Sequence, residues 1–270
     1  MTKIEASVFD ISHLDLLSSR QTVIHRLDPR VKVATALFFI IIVVSFPKYE
    51  IASLVPFALY PAVLIALGNL PLGPLMKRIL WAAPFAVLIG IFNPFLDSEV
   101  LLRLGPLHLS GGWVSFLALL LKFALTVAAA LCLVATTGFN TICMALDRMG
   151  VPRIFAVQLS FLYRYIHVLA DEAARMSRAR ALRSFRGKGM GMRVYSFMMG
   201  HLLIRTMDRA QRIHTAMLCR GFDGEIRMMT SLRIRPVDIG FLAGWCGLFV
   251  LLRLFDLSHW LGSTTTGMIP

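Results

Sequence analysis

Two short stretches of the 270-residue chain hold residues able to grip a carboxylate: Ala179, Arg180, Ala181 and, further along, Cys219, Arg220, Gly221. A guanidinium presents a planar fork of N–H donors that matches a carboxylate in two parallel hydrogen bonds. Small neighbours let a second surface come close to the backbone, and a cation at a helix C-terminus is favoured by the helix dipole. The chemistry on offer is recognition: an arginine at the end of a helix, seated in an acidic socket. From spacing alone each arginine could equally be a solvated cation of a last helical turn, and duplication on neighbouring helices tilts the balance toward docking. The run Arg183, Ser184, Phe185, Arg186, Gly187 offers a rival placement of the first motif, so Arg183, Arg186 and Gly187 stand beside Arg180 as alternatives.

Other constellations carry less. The glycine-rich Gly187 to Met192 lacks the Gly-Lys-Ser/Thr ending of a phosphate loop and follows no strand, so it reads as a joint in which Gly187, Gly189 and Gly191 act as a hinge. Asp10, His13 and Asp15 are of metal-ligating type, but three polar residues in an N-terminal segment are usually only solvated, and no metal site is assigned. The cysteines, Cys132, Cys143, Cys219 and Cys246, form no CxxC pair and read as small apolar residues. His167, His201 and His214 lack i,i+4 pairing and a cysteine partner. No Ser-His-Asp arrangement and no HExxH is present, and the adjacent Asp171 and Glu172 face different ways on a helix, so no catalytic residue is expected.

The elements that must position the arginines are helices. Phe155, Leu159, Leu162, Ile166, Leu169, Ala173 and Met176 recur in steps of three and four, which predicts a long amphipathic helix starting near Pro152 and ending before the glycines. A second is predicted from about Val194 to Leu218, stopped by Gly221. Around them the chain is 57% hydrophobic and only 16% charged, beyond what a soluble domain shows. Apolar runs at Pro29–Pro47, Ile51–Leu67, Ile79–Leu96, Trp113–Thr137 and Val237–Leu257 predict about five membrane crossings. Asp28 caps the first, with Pro29 at its first position and Arg30 and Lys32 left at one surface. Pro56, Pro61, Pro84 and Pro94 should kink or end their helices. Lys122 lies inside the fourth run, about 14 Å along the helix, placed to snorkel to the outer surface or to pair with a polar group on another helix. The N-terminus lacks the basic start and apolar core of a cleavable signal, so the first span is expected to direct insertion.

Charge sets the orientation. Of the 28 Lys+Arg, 17 lie between Arg148 and Arg235, and the excess over 15 Asp+Glu gives +13. By the positive-inside rule the N-terminus and residues 138–236 are cytoplasmic and the C-terminus is periplasmic. The chain thus divides into 1–137, an N-terminal cytoplasmic segment with four spans; 138–236, the cytoplasmic helices; and 237–270, the last span and tail.

At this point the sequence resembles a known family, the transmembrane T components of energy-coupling factor transporters, of the cobalt type often labelled CbiQ. The likeness rests on "HRLDPRVK" before the first span, "LALLLKFALTVAAALCLVATT" in the fourth, "MGVPRIFAVQLSFLYRYIHVLADEAARMSRARALR", and "AMLCRGFDG". It covers nearly the whole chain. The resemblance implies two coupling helices whose Ala-Arg-Gly ends dock into grooves on a pair of ABC-type ATPases, with Arg180 and Arg220 matching the motif arginines. Ala181 replaces the favoured glycine and Cys219 the favoured alanine, both small exchanges. It further implies a multi-pass protein of the bacterial inner membrane, itself non-catalytic and without a cofactor. ATP would be bound by the partner ATPases, and cobalt, or alternatively nickel, by a substrate-binding membrane partner. Two rival classes are a lipid-modifying membrane enzyme, which would need acids or histidines gathered at headgroup level, and a membrane-tethered nucleic-acid binder, which would need a recognisable module. Copurified ATPase, lipid substrate or nucleic acid separates the three.

Overall fold

The computed structural model describes residues 22–48, 50–92, 100–104, 107–183, 191–223 and 234–254. The chain forms two compact units, one of Leu17–Gly138 with Leu232–Pro270 and the other of Met1–Leu16 with Phe139–Ser231.

In the first unit, α1 (Pro29–Ser45) begins as its sequence dictates: the Asp28 carboxylate accepts from the Arg30 N–H at 2.9 Å and Pro29 fills a position whose N–H would lack a partner. Pro56 lies within a 3₁₀ turn, Ala52–Ala58, which runs on into α2 (Leu59–Gly68). That helix stops at Asn69, which adopts the left-handed conformation at φ 47° and donates to Ala66 O. Pro71 then precedes α3 (Leu72–Gly90), which carries Pro84 in its interior. The third crossing therefore starts earlier than the expected Ile79, because Leu72 and Gly73 are already helical and bring Lys77 and Arg78 into the first turns. Strands β1 (Val100–Leu104) and β2 (Leu107–Ser110) pair antiparallel, a short hairpin in a molecule otherwise all-α. It leads into α4 (Gly111–Thr137), and the last helix of the chain spans Pro236–Leu254.

The core of this unit is aromatic. Phe39 lies 4.7 Å from Tyr60 and 5.2 Å from Phe249 between ring centroids, and Tyr60 meets Trp245 edge-on at 5.0 Å. Such pairs contribute about 0.5–1.5 kcal/mol each beyond the area they bury. Three helices, Leu72–Gly90, Gly111–Thr137 and Pro236–Leu254, are long and apolar enough to cross a membrane, and the apolar Ala52–Gly68 is shorter. Large apolar side chains such as Trp81 and Phe85 on α3 point outward, as expected where lipid replaces water. The protein is an all-α membrane protein.

Polar groups tie both ends of α1. At its N-terminal end the Asp28 N–H donates to Asp238 Oδ1 at 3.0 Å, Asp238 Oδ2 accepts from the Arg235 N–H at 2.7 Å, and Lys32 Nζ donates to Thr136 O at 3.1 Å. Asp28, Lys32, Thr136 and Asp238 are all buried. This corrects the expectation that Lys32 stays at the surface: the carbonyl at the end of α4 and two nearby carboxylates draw the ammonium inward. At the C-terminal end Lys122 Nζ donates to Phe46 O, the second of the two fates open to it from sequence, and the Arg253 guanidinium lies 4.1 Å over the Phe46 ring.

The second unit contains α5 (Phe139–Arg148), α6 (Arg153–Arg183) and α7 (Met192–Cys219). Gly150 at φ 99° makes the turn between α5 and α6, which pack together with Phe139 stacked on Tyr163 at 4.6 Å. With α7 numbered, the helix Pro236–Leu254 is α8.

Candidate docking site

Arg220 sits at the C-cap of α7, and the backbone there is fixed. The Phe222 N–H bonds to Met217 O and the Gly221 N–H to Leu218 O, both at 3.0 Å, with Gly221 at φ 78°. This is the Schellman arrangement, which needs glycine because a Cβ is disfavoured in the left-handed region. Cys219, Arg220 and Gly221 are exposed.

Arg180 is placed differently. It lies within the last turn of α6, which continues through Ala181 and Leu182 to Arg183. Both arginines lie where their helices run out, Arg220 at the cap and Arg180 in the last turn, with helix continuing three residues beyond it through Ala181, a better helix former than the glycine of the second motif. Arg180 is half-buried, and its Nη1 is shielded without a hydrogen-bond partner. Ala179 and Ala181 are exposed. Of the alternatives, Arg183 is exposed in the final turn, whereas Arg186, Gly187 and Gly189 lie outside the described residues. Gly191 is the extended N-cap of α7.

One acid organises the two helices. Glu172 accepts from Arg175 Nη2 at 2.8 Å on its own helix and from Arg205 Nη1 at 2.6 Å on α7. The Arg175 hydrogen bond, and after it the Arg205 one, hold the Glu172 carboxyl below the usual carboxylate range. Leu169, Glu172, Arg205, Thr206, Asp208 and Arg209 line a shallow cleft at the same place. From this contact α6 runs on to Arg183 and α7 to Cys219. Sequence reading placed Asp171 and Glu172 on different faces but missed that Glu172 joins two helices. The i,i+3 spacing to Arg175 was legible, and the Arg205 partner was not. Among the described residues no group of His, Cys, Asp or Glu could hold a metal ion, and Asp10, His13 and Asp15 lie outside them.

Residues 20–232 match the family described as CbiQ, cobalt transport protein. The chain belongs to that family. An uncharacterised protein of Methanocaldococcus jannaschii is 29% identical over 86% of this chain and 82% of its own length. The energy-coupling factor transporter transmembrane protein EcfT of Leuconostoc gelidum is 25% identical, covering 85% of this chain and 92% of its own. The cobalt transport protein CbiQ of Rhodobacter capsulatus is 26% identical over 78% and 85%. This CbiQ-family chain is thus a T component of energy-coupling factor transporters, cobalt-type, and both arginine motifs fall inside the matched span.

Proposed function

We propose that this T component is the non-catalytic coupling subunit of an ATP-driven cobalt importer of the inner membrane. Arg180 and Arg220 seat in acidic sockets on a pair of ABC-type ATPases, which bind and hydrolyse ATP, and a separate membrane subunit holds the ion. The observation that carries this reading is the pair itself: two arginines in one unit, Arg220 exposed on a fixed cap and Arg180 with a shielded, unpartnered nitrogen. Neither has an ion pair with another described residue. Substitution by glutamate removes the fork and adds repulsion, so association should fall by about 2–5 kcal/mol, a loss of thirtyfold or more. Lysine should rescue in part, since an ammonium cannot reproduce the planar fork. The test is copurification of tagged ATPases with Arg180→Glu, Arg220→Glu and the double variant, alongside cellular uptake of radiolabelled cobalt and nickel. Full ATPase association with both glutamate variants would refute the docking role. Nickel uptake exceeding cobalt would reassign the ion.

A further inference from the structure

The chain passes between its two units at three points, after Leu16, after Gly138 and after Ser231. The helix ends of the membrane unit nearest to these passages are the start of α1, the end of α4 and the start of α8. All three meet in one buried polar cluster. Asp28 heads α1 and gives its N–H to Asp238 on α8, and Lys32, one turn into α1, reaches the Thr136 carbonyl at the end of α4. Asp238 also accepts from Arg235, which fixes the backbone where the chain enters α8. None of this is needed to form apolar spans. Burying two carboxylates and an ammonium costs solvation, and Asp28 Oδ2 is left without a hydrogen-bond partner, so apolar side chains would serve plain stability better. Directional bonds in a dry setting do something apolar packing does not: they hold three helix ends in one fixed relation.

We propose that Asp28, Lys32 and Asp238 form a clasp that passes the movement of the coupling-helix unit into the membrane helices, by making α1, α4 and α8 move as one body. They are positioning residues for transport. A pull arriving through any one of the three chain passages is then shared by all three helices. This inference rests on the coupling function proposed above.

The test uses the complete transporter, with ATPases and substrate-binding partner, in proteoliposomes. Lys32→Met and Asp238→Asn should keep the ATPases bound and ATP hydrolysis near the wild-type rate, while cobalt taken up per ATP hydrolysed drops about fivefold or more. Lys32→Arg should keep most of the coupling. An unchanged ratio in both Lys32→Met and Asp238→Asn, or loss of the ATPases from either, overturns the clasp. Failure of the Arg180 and Arg220 variants to lose the ATPases strikes instead at the docking role, so the two failures are distinguishable. A second measurement needs no clasp variant: spin labels at the exposed Leu37 on α1 and Ile239 on α8. Their distance should stay constant within about 2 Å between nucleotide-free and ATP-bound states, and a shift beyond about 5 Å overturns the proposal.

Discussion

Arg220 depends on the residue after it. Gly221 holds a left-handed conformation at φ 78°, and although a Cβ there would meet no atom within 4 Å, the backbone itself resists one. Gly221→Ala should therefore cost about 1 kcal/mol locally, and Gly221→Asn less, because asparagine tolerates that region. Copurification with the ATPases should rank wild type, Asn, Ala in that order. Glu172 gives a second residue-scale prediction. Its carboxyl is held below the usual range by Arg175 and then Arg205, so the crossing is stabilised above the ordinary carboxylate range and loses that contribution only as pH falls through the lowered value. Hydrogen-exchange protection at the α6 and α7 crossing, taken relative to the intrinsic rate at each pH, should hold from neutral pH through the ordinary carboxylate range and fall only below it. Glu172→Gln should remove that dependence. The loss of stability should be under about 1 kcal/mol, since both arginines are exposed.

Among the elements, α3 and α4 are in tight contact at Gly90, against Phe116 and Leu119. A Cβ on Gly90 would lie 2.7 Å from the Phe116 ring and 3.0 Å from Leu119, whereas one on Gly73 would meet nothing. Gly90→Ala should destabilise the protein by about 1–3 kcal/mol despite the better helix propensity of alanine, and Gly73→Ala should be neutral or slightly favourable. Thermal unfolding in detergent compares the two. Most of the helices were legible in the sequence, from long apolar runs and from the amphipathic spacing of α6 and α7, but the short α5 was not, and α3 begins after Pro71, earlier than the expected Ile79. Partnership across the chain was not. A charge near the end of an apolar run reads as a surface charge, and only packing shows that Lys32 turns inward to Thr136 while Asp238 binds Asp28. The β1–β2 hairpin was missed for a related reason: its strands are short, and Gly105-Pro106 between two apolar runs reads equally as an irregular loop. Of the docking motifs, the glycine that ends α7 was readable at Gly221. The extension of α6 past Arg180 follows from the alanine at 181, whose helical preference outweighs the resemblance between the motifs.

At the scale of the whole molecule, basic residues gather between Arg148 and Arg235. If all five apolar runs cross, and not only the three helices long and apolar enough by themselves, the termini should fall on opposite sides, the N-terminus cytoplasmic and the C-terminus periplasmic. Reporter fusions at Met1 and Pro270 check this, and the same compartment for both ends would require an even count.

The bond between Asp28 and Asp238 joins residues 210 apart, and the aromatic core closes only when Trp245 and Phe249 reach Tyr60 and Phe39. At the usual pace of about 5–20 residues per second, the ribosome needs roughly 10–40 seconds to make the intervening chain. Throughout that interval Asp28 lacks its partner on the last helix, while Lys32 gains the Thr136 carbonyl about halfway through. Biogenesis therefore has a vulnerable window, and the quality-control proteases of the membrane would meet every nascent copy before its last helix arrives.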